Sequence, residues 1–320
     1  MAKGLRPRGD RGRSHAVANA LVCGGAGFIG GVCSEAFRSE GWSVVSAGRG
    51  KATTWRTVHC CSFVPGDFGD RAFVRHLLSE RRFDTVVFAA GPADVQRSFL
   101  DPVSDFEQQT LPLLNLLDES RKLQHRPSVL LVSSAATYGN PQDIPVREEA
   151  AARPISPYGF HKLQQELLLD EYAALYGVPT AKARVFSTFG IGLRHLAVWD
   201  IAQRALSGQF EVLGTGQESR DYLYVNDVAR AVEAVARSSP FEGETVNIGS
   251  GQETPISTLA AVIFDELGLL QSPVFSGSEL CGSPRRWRAD VSRLASLGFA
   301  PKWTLKQGIR ETVEWIARCA

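Results

Sequence analysis

Short apolar runs alternate with amphipathic stretches along the first half of the chain. The run Thr85–Ala90 carries no charge and is almost entirely apolar, which is typical of a strand covered on both faces of a sheet. The stretch Arg71–Glu80 instead places Phe73, Leu77 and Leu78 on one face, which predicts a helix. Repeated alternation of this kind predicts an α/β fold with a doubly wound parallel sheet and right-handed crossovers.

The same patterns place the elements along the chain. After about residue 187 the alternation loosens and glycine- and proline-rich loops separate shorter elements. We expect this part to form a smaller lobe that faces the strand ends, where ligands bind in open α/β sheets. The predicted strands are Leu21–Cys23, Ser43–Ala47, Phe63–Asp67, Thr85–Ala90, Val129–Ser133, Thr180–Phe186 and Val246–Ile248, and the predicted helices are Ile29–Ser39, Arg71–Glu80, Pro102–Lys122, Pro157–Tyr176, Ser257–Glu266 and Leu305–Arg318.

Composition and charge narrow the function classes. The 320 residues are 44% hydrophobic and 22% charged, which suits one large α/β unit or two fused lobes. The net charge of +1 gives no global attraction to nucleic acid or to a membrane surface. Apolar runs stay well below the roughly 20 residues of a membrane helix. Residues 1–15 are basic and glycine-rich, which predicts a disordered tail rather than a secretory signal; weak phosphate or nucleic-acid contact is the alternative.

The six cysteines predict reduced thiols. None has the paired C-x-x-C spacing of a zinc site, so no metal site is expected. Adjacent Cys60 and Cys61 are poorly placed for a mutual bridge, and Cys23 lies in an apolar strand as a small hydrophobe. A cytoplasmic location fits this pattern.

Glycines at positions 24, 27 and 30 separate the first strand from the first helix. Because glycine lacks a Cβ, the backbone here can turn sharply and lie against a diphosphate. The helix that follows, whose first turn includes Phe28 and Ile29, offers free N–H groups and the positive end of its dipole. The spacing predicts a dinucleotide site, the alternative being a tight strand–helix turn without a ligand.

A second group of residues predicts proton transfer. Tyr158 and Lys162 lie one helical turn apart, and a nearby ammonium lowers the pKa of a phenol from about 10 toward the working pH. Such a tyrosine takes or gives the proton of a hydroxyl. Ser134, at a predicted strand end, is placed to hydrogen-bond the same oxygen. The motif alone also fits a surface pair, but its order after the glycines and Ser134 favours one site.

With these residues in view, the chain resembles the extended short-chain dehydrogenase/reductase family, in its nucleotide-sugar epimerase/dehydratase branch. The resemblance covers roughly residues 19–316. It implies a Rossmann-type dinucleotide-binding domain over 16–186 and a mainly substrate-binding lobe over 187–320, from which segments near 220–250 return to the first domain. The supporting stretches are Phe88–Gly91, Ser98–Pro102, Pro157–Gly159, Arg220–Val228, Asn247–Gly251 and Leu297–Pro301 with Glu314–Trp315.

The resemblance also implies roles for individual residues. Tyr158 would deprotonate a sugar hydroxyl, usually at C4, while hydride passes to a nicotinamide. Lys162 would hold the nicotinamide ribose, and Ser134 would orient the sugar oxygen. Arg220 would contact the diphosphate of the nucleotide sugar, for which a charge-assisted arginine contact is suited. The implied cofactor contacts are Gly24, Gly27, Phe28, Ile29, Gly30, Asp67, Phe68, Ala89, Ala90 and Gly91, with Asp67 and Phe68 near the adenine.

Departures from the family pattern narrow the substrate and cofactor. Ala135 and Ala136 replace the acidic groups of dehydratases, so elimination of water is disfavoured. The second strand ends at Gly48–Arg49 without the acid that holds an NAD ribose, which favours NADP over NAD. Ser187 stands where many epimerases have an asparagine that contacts substrate. Leu280 stands near a usual phosphate-binding arginine, for which Arg285, Arg286 or Arg288 would substitute.

The leading interpretation is therefore an NAD(P)-dependent nucleotide-diphospho-sugar epimerase that acts by transient oxidation at C4. An NADP-dependent 4-keto-sugar reductase is the alternative, since it needs the same residues, and a non-catalytic cofactor-binding relative is a third. The family resemblance also implies a homodimer through the helices near Pro102–Lys122 and Pro157–Tyr176. No nucleic-acid or membrane partner is expected.

Overall fold

The structure is a computed structural model that describes residues 17–50, 62–278 and 282–319. The predicted tail over 1–15 lies outside these ranges, as do Cys60, Cys61, Leu280 and Cys281. Within them Cys23, Cys33 and Cys319 are free thiols.

The elements follow the predicted order and add several that the sequence patterns did not indicate. The strands are β1 Asn19–Cys23, β2 Ser43–Gly48, β3 Ser62–Pro65, β4 Thr85–Phe88, β5 Ser128–Ser134, β6 Thr180–Val185, β7 Ser187–Phe189, β8 Glu211–Val212, β9 Ser219–Arg220, β10 Tyr222–Tyr224, β11 Glu242–Ile248, β12 Thr254–Pro255 and β13 Val274–Phe275. The helices are α1 Phe28–Ser39, α2 Arg71–Glu80, α3 Val95–Leu100, α4 Pro102–Ser120, α5 Pro157–Tyr176, α6 Leu196–Leu206, α7 Val225–Ser238, α8 Ile256–Glu266, α9 Ser292–Ser296 and α10 Leu305–Cys319, with a short 3₁₀ helix at Ala135–Tyr138.

Seven parallel strands form the central sheet in the order β11-β6-β5-β4-β1-β2-β3, which confirms the predicted Rossmann-type doubly wound fold. The sheet separates two hydrophobic cores, one on each face. Alternate residues of β1 contribute to each of them, because successive side chains of a strand point to opposite faces. Ala20 and Val22 pack in one core with α1 and α7, whereas Leu21 and Cys23 pack in a second core with α2, α4 and α5.

The strand order reverses at β1, which lies between β4 and β2. In open α/β sheets such a switch point leaves a crevice at the carboxyl ends of the strands. The turns that follow β1 and β4 therefore flank the expected ligand site.

A third core, built from α6, α8 and α10, lies under the short strands β7, β8 and β10. The chain between these elements returns to the main sheet through α7, which packs on α1, and through β11, which pairs with β6. No helix within the described ranges combines the length and apolar character that crossing a membrane requires.

Some predicted boundaries were wrong. Three strands stop earlier than predicted, β3 at Pro65, β4 at Phe88 and β6 at Val185. After β3 the chain turns, and the Asp67 carboxylate accepts from the amide of Gly69. The sequence patterns also did not indicate the helices α3, α6, α7 and α9. The signal for α7 was present: Val225, Val228, Val232 and Val235 recur at helical spacing, and all four are buried.

Candidate active site

A cavity of about 710 Å³ opens at the carboxyl ends of the central strands. Residues from the α1 start, the β4, β5 and β6 ends, α5 and the smaller lobe meet around it, although they are far apart in sequence. The predicted site residues that line it are Phe28, Ile29, Ala89, Gly91, Ser134, Tyr158, Lys162, Ser187 and Arg220.

The glycine turn after β1 has no room for side chains. Gly24 has φ +82°, and a Cβ there would lie 2.7 Å from the carbonyl oxygen of Ala89. A Cβ on Gly30 would lie 2.3 Å from the carbonyl oxygen of Gly24, to which the amide of Gly27 also donates at 2.8 Å. These approaches require glycine at positions 24 and 30.

The start of α1 is suited to an anion. Gly27 is its N-cap and supplies no side-chain hydrogen bond, and the first turn carries no acidic residue. The positive end of the helix dipole therefore faces the crevice without a neutralising side chain. The turn fits the diphosphate of a dinucleotide.

Tyr158 and Lys162 lie on the buried face of α5, whose N-cap Ser156 accepts from the amide of Gly159. The Lys162 ammonium lies 5.9 Å from the centre of the Tyr158 ring and donates to the carbonyl oxygen of Val132 at 3.3 Å. The pair is 7% and 6% exposed, so its polar ends are reached only through the cavity.

The expected lowering of the Tyr158 pKa is wrong for this chain by itself. Burial raises the pKa of Tyr158 to about 12, which outweighs the opposing hydrogen bond with Ser134. Burial also lowers the pKa of Lys162 to about 8, against the opposing charges of Asp105 and Glu166. The sequence showed the spacing of the two residues but not how dry their surroundings are, and desolvation favours the neutral form of each.

Ser134 ends β5 and caps the 3₁₀ helix that follows, where its Oγ accepts from the amide of Ala136 at 3.1 Å. A buried ion pair between Glu166 and Arg184 holds Ser133, the residue before Ser134. Glu166 accepts from the Ser133 hydroxyl at 2.6 Å and forms a bidentate pair with Arg184, whose closest contact is 2.6 Å. The end of β5 is thereby fixed to α5 and β6.

Arg220 forms the opposite wall of the cavity and is 9% exposed. Its guanidinium donates to the carbonyl oxygen of Ser219 at 2.8 Å and to the Ser283 hydroxyl at 2.5 Å, and it lies 5.6 Å from the Trp287 ring centre. No carboxylate forms an ion pair with it within the described ranges, and burial lowers its pKa. A buried cation without a counter-charge is suited to an anionic ligand.

Other predicted site residues lie away from the cavity wall. Arg49 is exposed after β2 and donates to Gln108 at 3.1 Å. The Asp67 carboxylate accepts from the amide of Gly69, and Phe68 packs against Phe88. The remaining residues of this group are Gly24, Gly27 and Gly30 in the turn, Ala90 after β4, and Arg285, Arg286 and Arg288 on the smaller lobe.

Arg286 does not face the cavity in the way that a phosphate-binding residue would. Its guanidinium forms a bidentate pair with Glu253 at 2.8 and 3.0 Å. The amide of Arg285 donates to Asn140. The structure therefore brings Arg220, but not Arg286, to the cavity.

Sequence reasoning missed several residues of the cavity wall. Trp287 and Phe186 contact each other at 5.8 Å between ring centres, and both line the cavity beside Tyr158. Neither lies in a motif with a recognisable spacing, so no local signal distinguishes them from other core aromatics.

Comparisons with known proteins agree with this geometry. The sequence model of the NAD dependent epimerase/dehydratase family matches residues 20–249. A UDP-glucose 4-epimerase of Mycolicibacterium smegmatis is 30% identical over 309 residues, 92% of this chain and 97% of the relative. A dTDP-glucose 4,6-dehydratase of Xanthomonas campestris is 28% identical over 323 residues, 92% of each chain. The Thermus thermophilus UDP-glucose 4-epimerase, solved in complex with NAD, has a TM-score of 0.84 and 26% identity over 94% of this chain and all of that one.

The Glu166–Arg184 pair leads to a prediction about stability. Glu166→Gln leaves the buried guanidinium without an ionised partner, which we expect to cost about 3–5 kcal/mol of unfolding free energy in urea titrations. Glu171→Gln, an exposed position on the same helix, is the matched control and is expected to change it by less than about 0.5 kcal/mol. Equal effects of the two substitutions would contradict the importance of the pair.

Proposed function

The chain belongs to the NAD dependent epimerase/dehydratase family, and from that membership we propose that it is a nucleotide-diphospho-sugar 4-epimerase that uses a bound nicotinamide cofactor. One observation supports this activity above all. The buried Tyr158–Lys162 pair and Ser134 face the same cavity as Arg220, a buried cation without a carboxylate partner among the described residues. A sugar with its reacting hydroxyl at Tyr158 and its diphosphate at Arg220 would span that cavity.

The residues divide the proton chemistry between them. Tyr158 takes the proton of the C4 hydroxyl and later returns it, while Lys162 stabilises the phenolate by its charge. Ser134 orients the same oxygen. The glycine turn and the start of α1 would hold a nicotinamide cofactor, which would supply hydride acceptor and donor chemistry at C4. Because the proton and the hydride both return, the reaction needs no external oxidant.

Two alanines disfavour the dehydratase activity that some relatives have. Ala135 is fully buried, and Ala136 lines the cavity next to Ser134. Elimination of water requires an acid that protonates the leaving hydroxyl, which an alanine does not supply.

We propose NADP as the preferred cofactor, on the basis of Arg49. The sequence has no aspartate or glutamate between Glu40 and Asp67, so no carboxylate from this stretch holds a ribose 2′-hydroxyl or repels a 2′-phosphate. Arg49 directly follows β2, where such a phosphate would lie. The same feature supports the second candidate function, an NADP-dependent 4-keto-sugar reductase, which would release the oxidised cofactor.

We also propose the division into a cofactor domain over 16–186 and a mainly substrate-binding lobe over 187–320, with the α7–β11 return near 220–250. The separate core of α6, α8 and α10 supports it. The lack of paired cysteine spacings supports a reducing, cytoplasmic location.

The epimerase prediction is tested with the purified protein and either UDP-glucose, which the names of the epimerase relatives contain, or its C4 epimer UDP-galactose. We expect the two to interconvert without added reductant and without net change in NAD(P)H absorbance. Tyr158→Phe removes the proton acceptor and is expected to lower kcat by at least about 10²-fold with an unchanged melting temperature. Stoichiometric NADPH loss with a 4-keto sugar would establish the reductase instead, and full turnover by Tyr158→Phe would refute the mechanism.

The proposed preference for NADP is tested by substituting two arginines separately and measuring cofactor binding. Arg49→Ala is expected to weaken NADP binding by about tenfold or more, the worth of one charge-assisted contact, and to leave NAD binding unchanged in calorimetry. Arg38→Ala removes the same charge from an exposed position on α1 and serves as the control. Tighter binding of NAD than of NADP by the unmodified protein would show that the NADP assignment is wrong.

A homodimer through α4 and α5 is proposed from their exposed apolar residues. Phe160 and Leu167, two turns apart on α5, are 51% and 57% exposed, and Val103 on α4 is 66% exposed. Exposed large apolar groups on two helices that pack against each other favour a protein partner. We expect light scattering to give a dimer that Phe160→Glu converts to monomer, whereas Leu270→Glu, at an exposed site elsewhere, does not. A monomeric unmodified chain would contradict the proposal.

A further inference from the structure

One side-chain contact joins the end of β2 to the start of α4. The guanidinium of Arg49 donates through Nη2 to Oε1 of Gln108 at 3.1 Å. Arg49 directly follows β2, whereas Gln108 lies in the second turn of α4, 59 residues further along the chain. The proposed function gives a role to Arg49 and none to Gln108.

This contact crosses the crevice at the switch point of the sheet. Strand β1 lies between β2 and β4, so the ends of β2 and β4 are roughly 10 Å apart, twice the usual strand spacing. The end of β2 lies against the glycine turn, because a Cβ on Gly48 would be 3.6 Å from the Cα of Gly24. On the other side, a Cβ on Gly91, after β4, would be 3.5 Å from the carbonyl oxygen of Gln108. The Arg49 side chain therefore extends from one rim of the glycine turn to the other, past the carboxyl end of β1.

The acceptor of this contact is itself held in place. The side-chain nitrogen of Gln108 donates to the hydroxyl of Ser104, one turn earlier on α4, at 2.7 Å. The backbone amide of Ser104 in turn donates to Asp101, the N-cap of the helix. Because Ser104 engages the nitrogen of the Gln108 amide, the oxygen of that amide is directed to Arg49. The guanidinium is thus oriented by a helix start rather than by a loop.

Gln108 orients the guanidinium of Arg49 without cancelling its charge. The acceptor is a neutral amide, and no carboxylate forms an ion pair with Arg49 in the part of the chain that the structure describes. A guanidinium has five N–H donors, and this contact uses one of them. Charge and donors therefore stay available for a phosphate, which accepts two parallel bonds from an arginine. An arginine that is already oriented also loses less side-chain entropy on binding.

We propose that Gln108 is a specificity-determining residue that orients Arg49 toward the 2′-phosphate of NADP. The inference deepens the proposed use of a nicotinamide cofactor and rests on the proposed role of Arg49. A carboxylate at position 108 would form an ion pair with Arg49 and would repel a phosphate. The side chain at this position therefore sets the ratio of NADP affinity to NAD affinity.

Calorimetric titrations of the full chain with NADP and with NAD measure this ratio without turnover. Gln108→Ala is expected to weaken NADP binding by about three- to tenfold, the range of one hydrogen bond, and NAD binding by less than about twofold. Gln108→Glu is expected to weaken NADP binding by more than about tenfold, since it neutralises Arg49 and repels the phosphate. Gln124→Glu adds the same charge at an exposed position after α4 and is the control, with changes below about twofold for both cofactors.

A double substitution shows whether Gln108 acts through Arg49. If it does, Gln108→Ala changes NADP binding by less than about twofold in a protein that already carries Arg49→Ala, because the group that it orients is gone. A full additional loss in the double variant would show that Gln108 acts independently and would overturn the proposal. Gln108→Glu keeps the length of the side chain, so it tests the proposal even where alanine alters the packing of α4.

Adenosine 2′,5′-bisphosphate, which carries the 2′-phosphate but no nicotinamide, locates the effect. Its binding is expected to weaken in Gln108→Ala and Gln108→Glu by the same factors as NADP binding. Losses that occur with NADP and not with this probe would place the effect of Gln108 away from the 2′-phosphate and overturn the proposal.

The titrations separate this inference from the proposed function. A protein that shows these losses and converts no nucleotide sugar would support the role of Gln108 and refute only the epimerase. A protein that prefers NAD but loses NADP affinity in both Gln108 variants would likewise support it and refute only the preference for NADP. Equal affinity ratios in the unmodified protein and in Gln108→Glu would overturn the inference, as would equal effects of Gln108→Glu and Gln124→Glu. An unmodified protein that binds no NADP would refute both the inference and the NADP preference.

Discussion

The ion pair of Glu166 and Arg184 is the contact on which the geometry of the site depends. Glu166 belongs to the helix that carries Tyr158 and Lys162, whereas Arg184 belongs to β6, and both side chains are less than 10% exposed. The same carboxylate accepts from Ser133, next to Ser134. One buried pair thus joins three elements that meet at the cavity. Burying these charged groups costs desolvation free energy. A buried network whose hydrogen bonds are satisfied nevertheless favours one arrangement of its side chains over all others.

Burial has a second consequence, which concerns the Tyr158–Lys162 pair. Desolvation raises the pKa of the phenol and lowers that of the ammonium, so the chain by itself favours two neutral groups. Lys162 has no carboxylate hydrogen-bond partner within the described ranges, and its ammonium donates to the carbonyl oxygen of Val132 instead. The charges of Asp105 and Glu166 both oppose the lowering of the Lys162 pKa, but burial outweighs them.

How far the sequence predicts this molecule depends on whether a feature is local. The glycine turn and the Tyr158–Lys162 pair follow from spacings within one turn or one helix, so both could be identified from the chain alone. The alternation of strands and helices gave the sheet for the same reason. Asp105 and His161 are 56 residues apart, and Trp287 donates to the Gly139 carbonyl oxygen across 148 residues. No sequence periodicity connects such positions. The desolvation that raises the Tyr158 pKa likewise arises only when elements distant in sequence pack together.

The glycine turn and Arg220, on two sides of the cavity, are each suited to an anionic ligand, but one relies on backbone atoms and the other on a side chain. This difference determines where substitutions can change ligand specificity. On the proposed cofactor side backbone atoms form the turn. A Cβ on Gly30 would lie 2.3 Å from a carbonyl oxygen, so this position does not accept a larger residue. On the proposed substrate side Arg220 is held by the carbonyl oxygen of Ser219, by the Ser283 hydroxyl and by the face of Trp287. Substitutions at Ser283 or Trp287 can alter how the guanidinium is held without disturbing the main sheet. Under the proposed function, differences in sugar preference are therefore expected in the smaller lobe, and Arg49, outside the glycine turn, is the residue proposed to discriminate between NAD and NADP.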